Sequence, residues 1–150
     1  MVVDLCHKKR IIHRDIKPAN ILFAPNETPV LVDFGLHLIH NNKTHFPGAG
    51  TEMYMSPEQF YTDDGKDLTE AIDQYSFART LAEVVCPEHK LYTGDPGDFR
   101  HFDSGQIFNP LPSDICNAKV NEVIKKATSF FPRDRYASCE EFIKEIKSNI

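Results

Sequence analysis

The run that most constrains the architecture of this chain is His13-Arg14-Asp15-Ile16-Lys17-Pro18-Ala19-Asn20, with Asp33-Phe34-Gly35 as its companion. Between the two lie the short apolar runs Ile21-Leu22-Phe23 and Val30-Leu31-Val32, separated by a proline-bounded polar stretch. This pattern predicts a β-hairpin of two short strands. Because a hairpin brings its two ends together, the end of the first motif, at Asn20, and the start of the second, at Asp33, should lie at the same end of the hairpin.

The residue types in these two runs are the ones that phosphoryl transfer needs, because its catalysis is mostly positioning and charge stabilisation. Asp15 can accept the hydrogen bond of an attacking hydroxyl, and Lys17 can neutralise charge on the transferred group. Asn20 and Asp33 offer hard oxygen ligands that suit Mg²⁺. Gly35 lets the backbone turn sharply after Asp33.

The two runs resemble the signature motifs of the eukaryotic-type protein kinases, and the resemblance covers nearly the whole chain. The segment Gly50-Thr51-Glu52-Met53-Tyr54-Met55-Ser56-Pro57-Glu58 is similar to the substrate-docking segment of that family, with Ser56 where alanine is commoner. The resemblance implies a kinase that transfers the γ-phosphoryl group of ATP, with Mg²⁺, to a serine or threonine hydroxyl of a protein substrate.

The resemblance also implies a mainly α fold, the large C-terminal lobe of the α+β kinase fold. In that lobe a helical bundle carries a short β-hairpin at the catalytic cleft. Residues 1–150 then form a partial kinase domain with the following segments: a catalytic loop at 13–20, a metal-binding loop at 33–35, an activation segment at 33–58 and a helical remainder at 69–150.

Apolar spacing supports several helices. Met1–Lys9 has the spacing of the last turns of a helix, and Thr69–Val85 has apolar residues on most faces, which predicts a buried central helix. Ser138 with Glu141 forms a capping-box pattern at the start of a last helix. One further amphipathic helix is predicted from apolar residues that share a face: Val120, Val123, Ile124, Ala127 and Phe131.

The resemblance assigns roles to the polar residues. Asp15 is the base that orients the hydroxyl, Lys17 stabilises charge, and Thr51 helps to place both as a third catalytic residue. Asn20 and Asp33 bind Mg²⁺, and together with Lys17 they form the nucleotide-phosphate contacts. Lys17 and Thr51 resemble the serine/threonine branch of the family rather than the tyrosine branch.

Structural roles are implied for six residues: His13, Phe34, Gly35, Glu58, Asp73 and Arg135. Asp73 matches the acidic residue that braces the catalytic loop through its backbone. Glu58 and Arg135 match a family ion pair, which we expect to be substantially buried. Tyr75 and Ala78 stand where the family usually has tryptophan and glycine.

A regulatory switch is predicted in the polar segment Leu36–Ser56, which reads as a long and therefore functional loop. Thr44 is the only residue between Gly35 and Gly50 with a side-chain hydroxyl. A phosphate there would find candidate cationic partners in Arg14 and Lys43. An unmodified loop threonine is the alternative.

The amino-acid composition disfavours several classes of protein. The 150 residues are 41% hydrophobic and 26% charged, as in an ordinary soluble globular protein, and the net charge of −5 disfavours a nucleic-acid binder. No apolar run approaches the ~20 residues of a membrane span, so a cytoplasmic protein without a membrane partner is expected. The cysteines show no CxxC spacing and are expected to be free thiols, in neither a disulfide nor a zinc site: Cys6, Cys86, Cys116 and Cys139.

Two other interpretations stay open. Residues 1–150 contain no Gly-rich loop and no strand lysine, so the N-terminal β lobe is expected to be missing and to act in cis or in trans. The chain could then be a truncated or pseudokinase-like interaction module with no activity of its own. A small-molecule phosphotransferase of the kinase-like superfamily is a further alternative, and the Gly50–Glu58 segment counts against it.

Overall fold

A computed structural model describes residues 2–39, 50–61, 68–87, 89–92 and 107–150. Its helices are α1 (Val2–Lys8), α2 (Pro57–Tyr61), α3 (Ala71–Val85), α4 (Ala118–Ala127) and α5 (Cys139–Lys147). Its strands are β1 (Ile11–Ile12), β2 (Ile21–Phe23), β3 (Pro29–Leu31) and β4 (Leu38–Ile39). The mainly α fold is confirmed. Within these ranges no helix is both long and apolar enough to cross a bilayer.

The predicted hairpin is confirmed as the antiparallel pair β2–β3, in which Ile21 lies opposite Leu31. The second strand begins and ends one residue earlier than the apolar run suggested. The amide of Val32 donates to the carbonyl of Asn20 at 2.9 Å, just beyond the last strand pair. The residues that precede and follow the hairpin are therefore held side by side.

A second small sheet was not predicted. Strand β1 pairs antiparallel with β4, with Ile11 opposite Ile39 and Ile12 opposite Leu38. Strand β4 lies in the segment that the sequence indicated as loop, and a 3₁₀ turn at Glu52–Tyr54 lies there too. Strands of two residues are too short to show the alternation on which strand prediction depends.

Helix α3 is the central helix of the fold and begins at Ala71, two residues after Thr69. Its predicted burial is correct for most of its length, but Val84 and Val85 at its end are exposed. Ala78 packs with α4 and α5 in one apolar cluster around Phe142. The helix also buries four polar side chains: Asp73, Gln74, Ser76 and Thr80.

Helix α4 begins at an Asn117 cap, whose side-chain oxygen accepts from the amide of Val120 at 2.9 Å. Four of the five apolar residues predicted on its inner face are buried: Val120, Val123, Ile124 and Ala127. The placement of Phe131 on that face is wrong, because α4 ends at Ala127 and Phe131 is 47% exposed. A 3₁₀ turn at Pro132–Asp134 then leads toward α5.

Helix α5 starts at the predicted cap, where the hydroxyl of Ser138 accepts from the amide of Glu141 at 3.1 Å. The carboxylate of Glu141 accepts in return from the amide of Ala137 at 2.9 Å. Cys139, the first residue of α5, packs with Val3 of α1. This contact places the start of α5 against α1, and Ile16 of the catalytic loop belongs to the same apolar cluster.

Candidate active site

The loop that carries the predicted catalytic residues is held in place by hydrogen bonds to α3. The carboxylate of Asp73 accepts from the amides of His13 and Arg14, each at 2.8 Å. Arg14 has a left-handed backbone with φ of 73°. That conformation is uncommon for a residue with a side chain and is held here by the two charge-assisted hydrogen bonds.

Asp15 lies at the centre of a hydrogen-bonded set, and its side chain is buried. Its Oδ1 accepts from both the amide and the hydroxyl of Thr51, at 2.9 and 2.7 Å. Its Oδ2 lies 2.8 Å from Nζ of Lys17 and accepts from Nδ2 of Asn20 at 3.1 Å. Lys17 and Asn20 belong to the same loop as Asp15, whereas Thr51 is distant in sequence. The structure brings all three to the carboxylate of Asp15.

The environment of Asp15 keeps its carboxylate ionised. Burial raises the pKa of Asp15, but the hydrogen bonds of Lys17, Thr51 and Asn20 and the charge of Lys17 lower it more, so the pKa lies below its usual value. At neutral pH Asp15 is therefore a hydrogen-bond acceptor. This is the protonation state that a residue orienting a hydroxyl requires.

Thr51 connects Lys17 to Asp15, because its hydroxyl accepts from Nζ of Lys17 at 2.7 Å while donating to Asp15. The preceding Gly50 has φ of 135°, and a Cβ on it would lie 2.9 Å from the carbonyl oxygen of Arg14. A glycine is therefore required for Thr51 to approach the loop. The side chain of Gln59 donates to that same carbonyl at 2.8 Å.

Asn20 and Asp33, the predicted metal ligands, lie at one end of the hairpin. The amide nitrogen of Asn20 donates to the backbone carbonyl of Asp15 at 2.8 Å, so its amide oxygen is the atom available to a cation. Asp33 has a left-handed backbone, with φ of 64°, and its Oδ1 accepts from the amide of Gly35 at 3.3 Å. One amide oxygen and one carboxylate form a donor set that fits Mg²⁺.

His13 and Phe34 join the two loops. Nε2 of His13 donates to the carbonyl of Val32 at 3.0 Å, and its Nδ1 accepts from the amide of Asp15 at 3.3 Å. The rings of His13 and Phe34 meet edge to face with 4.6 Å between their centroids. The imidazole therefore fixes the position of the Asp33 loop relative to the loop that carries Asp15.

Arg14, predicted as a regulatory residue, has a buried side chain. Burial lowers the pKa of its guanidinium, and the negative charge of Asp73 acts in the opposite direction. Thr44 and Lys43, the other members of the predicted switch, lie outside the described residues.

The ion pair predicted between Glu58 and Arg135 is present and bidentate, with N–O distances of 2.6 and 2.7 Å. The side chain of Arg135 is 0% exposed and that of Glu58 is 20% exposed. Arg135 also donates to three carbonyl oxygens: those of Ala71, Ser129 and Phe130. The pair ties α2 to the segment that precedes α5.

Two contributors to the site were not singled out from the sequence. Gln59 ties α2 to the catalytic loop, and His7 of α1 donates from Nε2 to the carboxylate of Asp73 at 2.9 Å. The positions of both follow from tertiary packing between distant elements. A glutamine or histidine in a helix carries no local pattern that indicates such a contact.

Comparison with known proteins places this geometry in context. The family description "Protein kinase domain" matches residues 1–147. The chain is 32% identical over 96% of its length to Serine/threonine-protein kinase PknF of Mycobacterium tuberculosis, and 28% identical over 97% to Serine/threonine-protein kinase ppk34 of Schizosaccharomyces pombe. It is 32% identical over 92% to the Interferon-induced, double-stranded RNA-activated protein kinase of Mus musculus. The chain spans between 26% and 40% of the lengths of these three relatives.

Proposed function

The chain belongs to the protein kinase domain family, and from that premise we propose that it carries the phosphoryl-transfer site of a serine/threonine protein kinase. The observation that carries the proposal is the hydrogen-bonded set around Asp15, in which Thr51 and Lys17 hold an ionised carboxylate. A residue that must receive a hydroxyl proton has to be fixed and unprotonated at neutral pH. Asp15 meets both conditions.

In the proposed reaction, Asp15 accepts the hydrogen bond of the substrate serine or threonine hydroxyl. This orients the hydroxyl oxygen toward the γ-phosphoryl group of ATP. The Lys17 ammonium, held by Thr51, stabilises the negative charge on that group as it moves. Asn20 and Asp33 are the residues that would hold Mg²⁺. When bound, Mg²⁺ neutralises charge on the nucleotide phosphates.

The regulatory part of the proposal concerns Arg14. A phosphate on Thr44 would carry about −1.5 to −2 charges and could pair with the Arg14 guanidinium. Arg14 is adjacent to Asp15, and its carbonyl is held by Gln59. An ion pair at Arg14 would therefore act on the backbone that positions the proposed base.

The partners follow from the family and remain proposals. We infer a protein substrate, a β-rich small lobe acting in cis or in trans, a cytoplasmic location, and no membrane or nucleic-acid partner. The interaction-module alternative is supported by one observation. The hairpin that the proposed metal ligands flank in sequence exposes three apolar side chains: Leu22, Phe23 and Val30. Another protein surface could cover them without any catalysis.

The test uses the chain fused behind the small lobe of a serine/threonine relative, with ATP, Mg²⁺ and a general protein substrate. Asp15→Asn should reduce phosphate transfer by at least about 100-fold, because general-base catalysis contributes about 10²–10⁴-fold. Asp114→Asn is the matched control, since Asp114 is exposed and lies outside the site. Equal transfer by the two variants would reject the role of Asp15. A fusion that folds and transfers no phosphate would favour the interaction module.

A further inference from the structure

Three side chains with metal-ligating atoms meet where α1 contacts α5, outside the proposed catalytic site. They are Asp4, His7 and Cys139, and one carboxylate oxygen, one ring nitrogen and the thiol sulfur all lie within 4.8 Å of one another. Asp4 and His7 are one turn apart on α1, and Cys139 is the first residue of α5. The side chains of Asp4 and Cys139 are buried, so an accidental surface cluster does not explain the grouping.

A cavity of about 250 Å³ opens onto this cluster. Asp4 and His7 line it, together with Glu70 and Glu140. Among the described residues that line it, the one lysine or arginine is Lys8, which lies 3.8 Å from Glu140 and is 72% exposed. A small cation therefore has a path from solvent to Asp4 and His7, two of the three members of the cluster, through a predominantly acidic opening.

The surrounding charges favour a dication. Burial raises the pKa of the Cys139 thiol, and the negative charges of Asp73, Asp4 and Glu70 raise it further. The same three carboxylates attract a dication, and a coordinated thiol loses its proton because the metal charge stabilises the thiolate.

We propose that Asp4, His7 and Cys139 form a zinc site that joins α1 to α5. Binding replaces the S–H bond of Cys139 with a Zn–S bond and releases one proton to solvent. A carboxylate, an imidazole and a thiolate are all ligands that Zn²⁺ accepts, and water completes the four-coordinate shell. The thiolate disfavours Mg²⁺ and Ca²⁺, which take oxygen ligands.

The distances need only a small adjustment. Zn²⁺ bonds of about 2.0–2.3 Å place tetrahedral ligand atoms about 3.3–3.8 Å apart. The widest separation in the cluster, at most 4.8 Å, must therefore contract by about 1 Å when the metal binds. The cavity opens to solvent and leaves room for the coordinated water.

His7 also has the outer-shell partner that metal-binding histidines use. Its Nε2 donates to Asp73 at 2.9 Å, and the other nitrogen of a neutral imidazole then carries the lone pair. Asp73 is the residue that braces the catalytic loop. A metal at this cluster would therefore stiffen the support of that loop, whether or not the loop performs catalysis.

Titration of the 150-residue chain with Co²⁺ tests the proposal, because Co²⁺ reports its ligands in its absorption spectrum. We expect visible ligand-field bands of a four-coordinate site, a thiolate-to-metal charge-transfer band, and displacement of Co²⁺ by Zn²⁺. Cys139→Ala should abolish the charge-transfer band. Asp4→Asn should weaken Zn²⁺ binding by more than about 100-fold, since even an outer-shell partner is worth about 10–100-fold.

Cys116→Ala is the matched control, since Cys116 is a free thiol outside the cluster, and it should leave the spectrum and affinity unchanged. Circular dichroism of each variant establishes that it is folded. Zn²⁺ should also raise the melting temperature of the unaltered chain, as any ligand of the native state does. A Co²⁺ spectrum of the unaltered chain without a charge-transfer band would overturn the proposal. A charge-transfer band that persists in Cys139→Ala would overturn it equally.

Discussion

At the scale of single residues, Arg135 shows how one side chain can hold several segments. It makes two hydrogen bonds to Glu58 and three to backbone carbonyl oxygens, all from a position inaccessible to solvent. A guanidinium suits this site because its planar fork of donors matches a carboxylate and leaves further N–H groups for carbonyls. The carboxylate of Glu58 supplies the only countercharge in that set of contacts.

Glu58→Ala should therefore lower the free energy of unfolding by about 3–5 kcal/mol, because it leaves the Arg135 charge buried without a countercharge. Chemical denaturation of the purified chain measures the loss. The exposed pair Lys8–Glu140, with N and O 3.8 Å apart, provides a control. Glu140→Ala in metal-free buffer should change the unfolding free energy by less than about 0.5 kcal/mol. Similar losses in the two variants would contradict this account.

The residues proposed to carry the chemistry were easier to predict from the sequence than the residues that hold them in place. Short runs whose residue types suit one chemistry, and which resemble kinase motifs, indicated four candidates from the sequence alone: Asp15, Lys17, Asn20 and Asp33. Gln59 acts on the loop only because α2 packs beside it, and no spacing along the chain encodes that. The cluster with Cys139 was likewise invisible, because the expectation of free thiols rested on cysteine spacing alone.

At the scale of elements, α3 is unusual in burying polar side chains along the helix that forms the centre of the lobe. Asp73 holds the catalytic loop, and Gln74 exchanges hydrogen bonds with the backbone of Tyr136 at 3.0 Å in both directions. Thr80 donates to the backbone of its own helix at Ser76, at 2.8 Å. Burying these groups costs little because each has a partner.

Asp73→Asn is the substitution that tests this element. An amide can accept one of the two loop hydrogen bonds, but its NH₂ group then faces the other amide, and the contact with His7 loses its charge. We expect a loss of about 2–3 kcal/mol of unfolding free energy, since a hydrogen bond to a charged group is worth about 1.5–3 kcal/mol. Thermal and urea unfolding measure it. Asp114→Asn is the exposed control, and an equal effect in both variants would count against the brace.

Elements with strong local signals were predicted well. The hairpin had two apolar runs around a proline-bounded turn, and α5 had its capping box, so local chemistry decided both. Phe131 was misplaced because its spacing continues the face of α4, whereas the helix ends earlier, at Ala127. The β1–β4 pair depends on contact between segments far apart in sequence, which periodicity does not report.

At the scale of the whole molecule, the site has the proposed catalytic residues, but the 150 residues include no phosphate-covering Gly-rich loop. Mg²⁺ gives up its water reluctantly and takes part of its shell from substrate phosphates. Without groups that fix those phosphates, Asn20 and Asp33 should hold it only weakly. Positioning, which supplies most of the catalysis in phosphoryl transfer, would be incomplete.

We therefore expect the 150-residue chain alone to bind ATP weakly in calorimetry and to transfer negligible phosphate to a general protein substrate. Supplying a small lobe, fused or in trans, should restore transfer, and Asp15→Asn should abolish it again. Robust phosphorylation by the isolated chain, lost on Asp15→Asn, would show that the site is sufficient by itself.

The Asp73 brace also sets an order of events during synthesis. The loop that contains His13 leaves the ribosome before Asp73, which lies 60 residues further along the chain. At translation rates of about 5–20 residues per second, that separation is an interval of about 3–12 s. Throughout this interval the left-handed turn at Arg14 has no carboxylate to hold it. A nascent chain therefore cannot present Asp15 in its final setting until the central helix has been made.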